Sequence, residues 1–463
     1  MKKQPNILFF FTDDQRFDTI AALGNTEIST PNLDRLVERG CVFTRAHIPG
    51  GTCGAVCMPS RAMLHTGRTL FHIDGEGQQI PENHITLGET LRDAGYYTYG
   101  IGKWHNGRKA YARSFTGGDE IFFGGMSDHW NVPAYHFDPS GKYEATCPVC
   151  PDPSYSNRVV RRECDHIEAG RHSTDLFTDT AVNFIRTHTA EQPFFMYVSL
   201  MAPHDPRTMP EKFRKMYDAD NISLPPNFTR EHAIDTGALK IRDELLAEFP
   251  RNEAEIRRHI AEYYAMISHL DDGFGRIIEE LRSRAMLENT IIVVAGDNGL
   301  AVGRHGLMGK QNLYEHSVRV PLIFAGPGIE PGTSSDALVY LLDIFPTLCE
   351  LTETPIPESV EGCSLAACMK CSNTAGRDAL YLAYGETIRG ISNGSHKLIE
   401  YACGATQLFD LHSDPHEMNN LADAPESRGL LRSLRTRLLE LADTLDDKQH
   451  PTGAAFWKSR SDI

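Results

Sequence analysis

The sequence contains no long hydrophobic run. Its first apolar stretch, from Ile7 to Phe11, is followed at once by Thr12-Asp13-Asp14. This stretch is shorter than the apolar region of a signal peptide, and no cleavage site follows it. No other segment approaches the roughly 20 apolar residues that span a membrane. As written, the sequence predicts a cytoplasmic protein without a membrane span, or a periplasmic or secreted one if a leader has been removed.

Positive charge is also in short supply. The chain carries 46 Lys and Arg against 62 Asp and Glu, a formal net charge of −16 over 463 residues. This excess of acid disfavours a broad surface for nucleic acid or another polyanion. A sulfate or phosphate group would have to be held in a local basic pocket of an otherwise acidic protein.

Cysteine is too scarce for a disulfide scaffold. The chain has 11 cysteines in 463 residues, far below the density of small disulfide-stapled domains, and the odd number favours reduced thiols. One group has a spacing that suits a structural zinc ion, although free thiols in a surface insertion explain it equally well. Its members are Cys147, Cys150, Cys164 and His166. A second group comprises Cys363, Cys368 and Cys371.

Buried strands alternate with amphipathic helices along most of the chain. The predicted strands cover residues 6–11, 41–43, 96–101, 194–200, 290–295 and 320–325. The predicted helices cover residues 30–39, 87–94, 173–185 and 256–281. This alternation predicts an α/β fold with a mostly parallel sheet between helices on both faces. In such folds ligands bind beyond the carboxyl ends of the strands.

The pattern changes near residue 365. We expect a larger N-terminal domain over residues 1–365 and a smaller α+β subdomain over residues 366–463, with a small antiparallel sheet and a helix near residues 425–445. Two segments of the first domain, 112–170 and 205–250, are rich in Pro, Gly, aromatic and charged residues. These insertions are predicted to wall the pocket and select its ligand.

Oxygen-bearing side chains follow two of the predicted strands. Asp13 and Asp14 come directly after the first strand, and Asp297 and Asn298 follow the strand at 290–295. Three carboxylates and an amide suit Ca²⁺, with Mg²⁺ as the second choice, and do not suit zinc. Taken alone, Asp-Asn-Gly is also a common turn sequence.

A short helix is predicted to begin at Cys57. Pro59 fits the first turn of a helix, where its missing N–H costs nothing. Cys57 would then lie at the helix mouth, where free N–H groups favour an anion. Arg61 lies one turn further on and can reach the same anion or the Cys57 side chain, and Gly67 can end the helix. A buried structural cysteine before a surface helix is the simpler alternative.

Basic and imidazole side chains follow other strands. Lys103 and His105 come after the strand at 96–101, and residues two apart in an extended segment face the same way. His204 follows the strand at 194–200, and Lys310 lies beyond the Asp-Asn-Gly turn. Each of these side chains alone would usually be a solvated loop residue. Together they are candidates for one anion site.

The segment Cys57-Met58-Pro59-Ser60-Arg61, with Thr66-Gly67-Arg68, resembles the maturation signature of the formylglycine-dependent sulfatases, relatives of alkaline phosphatase. Family-like segments extend from Asn6 to about Ala422. The resemblance implies an alkaline-phosphatase-like fold with a large mixed, mostly parallel sheet. It also implies that a formylglycine-generating maturation enzyme oxidises Cys57 to the nucleophile, and that a divalent cation binds beside it.

The resemblance also implies roles for the residues named above. The metal ligands would be Asp13, Asp14, Cys57, Asp297 and Asn298. The catalytic residues would be Cys57, Arg61, Lys103, His105, His204 and Lys310, of which Lys103, His204 and Lys310 would also bind the substrate sulfate. In this scheme His204, alone or together with Lys310, protonates the departing alcohol. His105 takes the proton from the second hydroxyl of residue 57, and Arg61 orients that residue.

Two other functions remain compatible with the sequence. One is a phosphonate monoester or phosphodiester hydrolase of the same superfamily, and the other is a metal-dependent binder of sulfated ligands in which Cys57 stays unconverted. Resemblance favours a sulfated carbohydrate, as monosaccharide or oligosaccharide, over other sulfate esters. Five residues of the first insertion could bind a sugar or form a core patch: Asp128, His129, Trp130, Tyr135 and His136.

Overall fold

The structure is a computed structural model that describes residues 4–189, 191–370 and 376–463. Its strands are β1 (Asn6–Thr12), β2 (Gly40–Phe43), β3 (Ala46–His47), β4 (Gly50–Gly51), β5 (Tyr97–Lys103), β6 (Gly117–Phe122), β7 (Pro133–Ala134), β8 (Thr146–Val149), β9 (Val160–Glu163), β10 (His166–Ile167), β11 (Phe194–Ser199), β12 (Thr290–Gly296), β13 (Leu322–Ala325), β14 (Thr333–Ser335), β15 (Val339–Tyr340), β16 (Leu380–Tyr384), β17 (Ile388–Ser392), β18 (His396–Tyr401) and β19 (Thr406–Asp410). Its α-helices are α1 (Pro31–Arg39), α2 (Cys57–Thr66), α3 (Leu87–Asp93), α4 (Arg108–Ser114), α5 (Ser173–Thr187), α6 (Glu211–Arg214), α7 (Glu253–Ser283), α8 (Glu315–Val318), α9 (Ile344–Leu351), α10 (Arg428–Thr444) and α11 (Pro451–Ser459).

An eight-stranded sheet forms the centre of the molecule, with the strand order β14-β2-β13-β12-β1-β11-β5-β6. β1 pairs in parallel with both β12 and β11, and β5 and β6 continue the parallel half. β13 runs antiparallel to both of its neighbours. The carboxyl ends of β1, β12, β11 and β5 therefore meet at one edge, which is where parallel sheets place their ligands.

Alternate residues of β1 enter two separate cores. Phe9 packs into the core on one face, with residues of α2, α3 and α9, whereas Phe10 packs into the other, with residues of α1, α5 and α7. Burial on both faces explains why the central strands are almost wholly apolar. The predicted fold class, an α/β architecture with helices on both faces of a mostly parallel sheet, is confirmed.

A second sheet has the order β19-β18-β17-β16-β4. Its last four strands in sequence are antiparallel, and β4, from the N-terminal part of the chain, pairs in parallel with β16. Gly50 permits this pairing because a Cβ there would lie 2.1 Å from the Ala383 carbonyl oxygen. The division into residues 1–365 and 366–463 stays a prediction. Within the described ranges, no helix combines the length and the apolar character needed to cross a membrane.

Candidate functional site

The first two acids lie at the carboxyl end of β1, beside the turn that follows β12. Thr12 is in register with Gly296, so Asp13 and Asp297 are neighbours at the sheet edge. The Asp297 N–H donates to the Thr12 carbonyl at 3.0 Å, and the Asp14 N–H donates to Asp297 Oδ1 at 3.0 Å. Strand pairing thus brings the two predicted acid pairs together, as the sequence indicated.

Asn298 completes the oxygen set. Its amide group donates to Asp14 Oδ1 at 2.7 Å, and its own Oδ1 is buried and accepts no hydrogen bond within the described part of the chain. Asp13 Oδ1 is likewise buried and unpartnered there. All four side chains are at most 1% exposed. Buried oxygens that lack donors are suited to a hard cation, so these residues fit a calcium or magnesium ion.

Cys57 opens helix α2 as predicted, and Gly67 ends that helix in the left-handed conformation, with φ of 65°. The Cys57 Sγ atom and carboxylate oxygens of Asp13 and Asp297 all lie within 4.8 Å of one another. In the described ranges, this is the only group of three acidic, cysteine or histidine ligands so arranged. Two of the predicted metal ligands, Asp13 and Asp297, therefore lie close to the predicted nucleophile.

Arg61 lies beneath this point and is fully buried. Its Nε donates to Asp297 Oδ2 at 2.9 Å, and its Nη1 donates to Ser199 Oγ at 2.6 Å and to the Lys103 carbonyl at 3.1 Å. The sequence predicted a contact with an anion or with Cys57 itself. The described contacts of Arg61 fix a carboxylate of the metal set and the end of β5. Its Nη2 is buried without a hydrogen-bond partner among the described residues, so the contact with an anion or with Cys57 stays a prediction.

The end of β5 delivers Lys103 and His105 to Cys57. Lys103 Nζ lies 3.8 Å from Cys57 Sγ, and it donates to an Asp13 carboxylate oxygen and to the Gly125 carbonyl. His105 Nδ1 lies 3.5 Å from Cys57 Sγ. The expectation that residues 103 and 105 face one pocket therefore agrees with the geometry, although His105 adopts a positive φ of 74° that strand periodicity does not predict.

His204 and Lys310 contact Asp14 of the same site. The Nδ1–H of His204 donates to the Asp205 carbonyl at 2.8 Å, which leaves Nε2 directed into the site, 3.7 Å from Asp14 Oδ2. Lys310 Nζ donates to Asp14 Oδ1 at 2.5 Å. Both residues are buried and both line the same cavity as Cys57.

The site contains equal numbers of buried carboxylates and buried permanent cations: Asp13, Asp14 and Asp297 against Arg61, Lys103 and Lys310. Burial alone would raise the pKa of Asp13, but the charges of Lys103, His204 and Arg61 hold it well below its usual range. Burial and the charge of Asp13 raise the pKa of Asp297 to about 7, against the influence of Arg61. A divalent cation between these carboxylates would favour the ionised form of both.

Burial is also the largest influence on the pKa values of Cys57 and His105. It raises the pKa of the Cys57 thiol, although Lys103 and Lys310 act in the opposite direction. It lowers the pKa of His105 well below the usual value, and the charge of Lys103 adds to this shift. At neutral pH the unmodified Cys57 is therefore a protonated thiol, a poor nucleophile.

The cavity above Cys57 has a volume of about 550 Å³, a size typical of small-ligand sites. Both predicted insertions contribute to its wall, the first through Gly125 and Met126 and the second through Ile241, Arg242 and Asp243. The prediction that both insertions wall the pocket did not single out these three residues of the second one. Arg242 is anchored on Asp205, with Nη1 to Oδ1 at 2.8 Å, beside the carbonyl that holds His204.

The residues suggested as a sugar platform lie elsewhere. His129 is fully buried, accepts from Ser173 Oγ at 2.7 Å and donates to the His204 carbonyl at 2.9 Å. Tyr135 is also buried, with its hydroxyl bonded to Arg108. None of the five lines the cavity above Cys57. The core-patch interpretation is correct for His129 and Tyr135, and His129 supports the backbone of His204.

The four proposed zinc ligands do not form a site. Cys147 Sγ donates to the Asp165 carbonyl at 3.1 Å, Cys150 Sγ donates to the Ser156 carbonyl at 3.1 Å, and His166 Nε2 pairs with Glu120 at 2.9 Å. No three of Cys147, Cys150, Cys164 and His166 come within ligand distance of a common point. The zinc prediction is wrong for this geometry because the four groups are not gathered around one point. Of the second cysteine group, Cys371 lies outside the described residues.

Comparisons with known proteins show which family this chain resembles in sequence. The family model for sulfatases matches residues 5–354, and the model for the C-terminal part of N-sulphoglucosamine sulphohydrolase matches residues 303–444. A sulfatase from Formosa agariphila is 28% identical, with 99% of this chain and 92% of the relative aligned. An N-acetylglucosamine-6-O-sulfatase from Bacteroides thetaiotaomicron is 26% identical over 90% of this chain and 83% of its own length.

Solved structures show the same fold. A protein in complex with its substrate D-glucosamine-2-N,6-O-disulfate superposes with a TM-score of 0.78 and 23% identity, over 97% of this chain and 99% of the other. The phosphonate monoester hydrolase of Agrobacterium radiobacter superposes with a TM-score of 0.75 and 21% identity, over 96% of each chain.

Proposed function

We propose that this chain, which belongs to the sulfatase family of sulfuric ester hydrolases, removes sulfate from a carbohydrate ester with a formylglycine made from Cys57. One observation carries the proposal. Cys57 Sγ lies on the floor of a cavity, within 4.8 Å of carboxylates of Asp13 and Asp297 and within 3.8 Å of Lys103 Nζ. The proposed nucleophile therefore lies beside two of the proposed cation ligands and beside the ammonium group of Lys103.

Asp13, Asp14, Asp297 and Asn298 would hold the cation, with residue 57 as a further ligand. We propose Ca²⁺ because the set is all oxygen and carries three carboxylates, with Mg²⁺ as the alternative. When bound, the ion would polarise the sulfate oxygens and lower the pKa of the attacking hydroxyl.

The chain's own cations would bind the rest of the sulfate group. Lys103 is held by Asp13, and Lys310 is held by Asp14. Buried ammonium groups fixed in advance beside a reacting oxyanion stabilise its transition state without further reorganisation. Arg61 keeps Asp297 in place from below.

Two histidines are placed for proton transfer. His105 Nδ1 lies 3.5 Å from the Cys57 side chain and would accept the proton of a hydroxyl at that position. His204 presents Nε2 to the cavity because Nδ1 is committed to the Asp205 carbonyl, so a proton on Nε2 can pass to the departing alcohol.

A formylglycine at position 57 would supply the two hydroxyl groups that the reaction needs. The hydrated aldehyde would supply one hydroxyl to attack sulfur and a second through which sulfate is expelled and the aldehyde restored. The conversion requires an external oxidant and a separate maturation enzyme. The unmodified thiol of Cys57 has no hydroxyl group for either step.

A carbohydrate substrate is proposed from two kinds of support. Relatives over most of the chain include the N-acetylglucosamine-6-O-sulfatase described above and a human iduronate 2-sulfatase, 26% identical over 76% of this chain. The cavity above Cys57 is also of a size to hold one sugar ring with its sulfate.

The test is a panel of sulfated monosaccharides and oligosaccharides assayed with Ca²⁺, alongside an aryl phosphonate for the superfamily alternative. We expect sulfate release from at least one sugar and weaker phosphonate hydrolysis. Cys57→Ala should retain the fold and the bound cation but lose turnover. If the variant keeps the activity of the parent, or the parent acts only on phosphonate, the proposed function is wrong.

A further inference from the structure

We propose that a groove beside the catalytic cavity binds the next sugar of an oligosaccharide, and that this neighbouring sugar is anionic. The groove is a cavity of about 790 Å³, within the size range of saccharide and drug-sized ligand sites. This inference deepens the proposed function and rests on it for the ligand class. It adds a second binding site and a requirement for negative charge on the neighbouring sugar.

The groove adjoins the catalytic cavity. His105 and Gly125 line both of them. Gly125 packs on the imidazole so closely that a Cβ there would lie 2.9 Å from His105 Nε2. The partition between the two spaces is therefore one imidazole ring and one residue without a side chain. Since His105 Nδ1 is 3.5 Å from Cys57 Sγ, the groove begins one ring's width from the reacting position.

Two lysines stand side by side in this groove. Lys109 lies on α4, and Lys142 follows Gly141, which packs against that helix so that a Cβ at 141 would lie 3.3 Å from the Lys109 Cα. Both lysines are exposed. Neither ammonium group has an ion pair or hydrogen bond to another described residue. In a protein with a net charge of −16, two adjacent unpaired cations beside the active site mark a local preference for anions.

The position of Lys142 is fixed by its loop. The Asp138 carboxylate accepts from Ser140 Oγ at 2.8 Å and from the Tyr143 N–H at 3.1 Å, one on each side of Lys142. The Gly141 N–H donates to the Asp138 carbonyl at 3.0 Å. The lysine therefore extends from an ordered turn, so that little backbone entropy is lost when an anion binds.

The remaining lining suits a sugar. Gln79 lies against Gly107, whose missing side chain leaves space for the Gln79 amide, and partly buried Phe123 offers a ring to the apolar face of a pyranose. Arg108 is committed to Glu163 and Tyr135 and takes no part. Glu144 is the one exposed acid of the groove lining that has no ion pair with a described residue, and it should weaken binding of an anion.

The experiment compares Lys109→Ala/Lys142→Ala with the parent enzyme and with Lys215→Ala/Lys458→Ala, which removes two exposed lysines away from the groove. Calorimetry measures the Kd of glucosamine 6-sulfate, a heparin tetrasaccharide, a κ-carrageenan tetrasaccharide and neutral cellotetraose. Heparin offers carboxylate and sulfate on neighbouring sugars, whereas carrageenan offers sulfate alone. Hydrolysis of 4-nitrophenyl sulfate, which is too small to reach the lysines, reports on the catalytic cavity.

We expect at least one anionic tetrasaccharide to bind the parent more tightly than the monosaccharide does. The groove variant should weaken that binding about tenfold, since each exposed contact contributes a factor of about three. The monosaccharide Kd and the kcat/KM for 4-nitrophenyl sulfate should not change. Glu144→Gln should act in the opposite direction and tighten the tetrasaccharide.

Two results would overturn the proposal. One is that no anionic tetrasaccharide binds the parent more tightly than the monosaccharide. The other is that the groove variant loses no more affinity than the control pair. A parent enzyme that hydrolyses no sulfate ester would refute the proposed function separately, because the calorimetric comparison does not require turnover.

Discussion

Replacement of Lys397 by Met should lower the free energy of unfolding, because it breaks a buried contact between the second sheet and the segment that follows Lys310. Lys397 is fully buried on β18. Its ammonium group donates to Glu417 at 2.8 Å and to the Leu313 carbonyl at 3.0 Å, and it pairs with Glu315 at 2.6 Å. Glu417 in turn accepts from the Glu315 N–H at the start of α8.

The size of the stability loss follows from the two buried carboxylates that remain after the substitution. Methionine has a similar length but leaves two buried carboxylates without their shared cation. Removing one partner of a buried ion pair costs about 3–5 kcal/mol, because the remaining charge is uncompensated. Lys448→Met, which breaks an exposed pair with Asp443, should cost less than about 1 kcal/mol. Urea unfolding followed by tryptophan fluorescence measures both.

The stability lost in Lys397→Met should depend on pH. Burial raises the pKa of Glu417 to about 7, and the charge of Glu315 adds to the shift while Lys397 opposes it. A carboxyl whose pKa is higher in the folded state than in the unfolded state stabilises fully below its unfolded pKa, and that stability is lost as pH rises through the folded pKa. Without Lys397 the folded pKa rises further, so the variant should lose more stability at pH 8 than at pH 5.

A second variant tests the cause. Lys397→Met/Glu417→Gln removes one of the stranded charges, while Glu315 keeps His47 at 3.2 Å. We expect it to recover much of the lost stability at pH 8. A single variant as stable as Lys448→Met, or a double variant no better than the single at either pH, would refute the reasoning.

Further predictions concern the site. Asp297→Asn should weaken Ca²⁺ binding by at least tenfold in calorimetry, since affinity depends on ligand charge; unchanged affinity would remove Asp297 from the metal set. Chelation should abolish sulfate release and lower the unfolding temperature, and Ca²⁺ should restore both; activity that survives exhaustive chelation contradicts the metal role. His204→Ala should slow a sugar sulfate about 100-fold or more but affect 4-nitrophenyl sulfate much less, because nitrophenolate leaves without a proton. Equal losses on both substrates would exclude His204 as the acid.

The sequence predicted the local elements well where their patterns are strong. β1, α7 and α2 follow directly from an apolar run, a helical stripe and the Pro59 and Gly67 signals. The site could be predicted for the same reason, since polar residues at the carboxyl ends of parallel strands must meet at one edge. Asp13 and Asp297 meet because β1 and β12 are neighbours.

Features that depend on non-local pairing were not predictable. Nothing near Gly50 indicates that it joins a strand more than 300 residues later, where its pairing partner is Ala383. The partners of Arg61 are set by the positions of three different strand ends, and one local helix pattern does not contain that information. The buried role of His129 depends on Ser173 and His204 in the same way.

The zinc prediction shows the limit of spacing as a criterion. A Cys-x-x-Cys spacing is compatible with a metal, but it does not exclude carbonyl and carboxylate partners. Cys147 and His166 find those partners in Asp165 and Glu120. The sequence left a sugar platform and a core patch equally open, because aromatic residues in an insertion can pack inward as readily as outward, as His129 and Tyr135 do.

The most direct test of the account relates activity to the chemical state of residue 57. Preparations with graded conversion of Cys57 can be made by co-expression with varying amounts of a maturation enzyme, and mass spectrometry of the peptide that contains residue 57 gives the aldehyde fraction. The account predicts that kcat for sulfate release rises in proportion to this fraction and extrapolates to zero at zero conversion. Full activity in a preparation that contains only the thiol would contradict it.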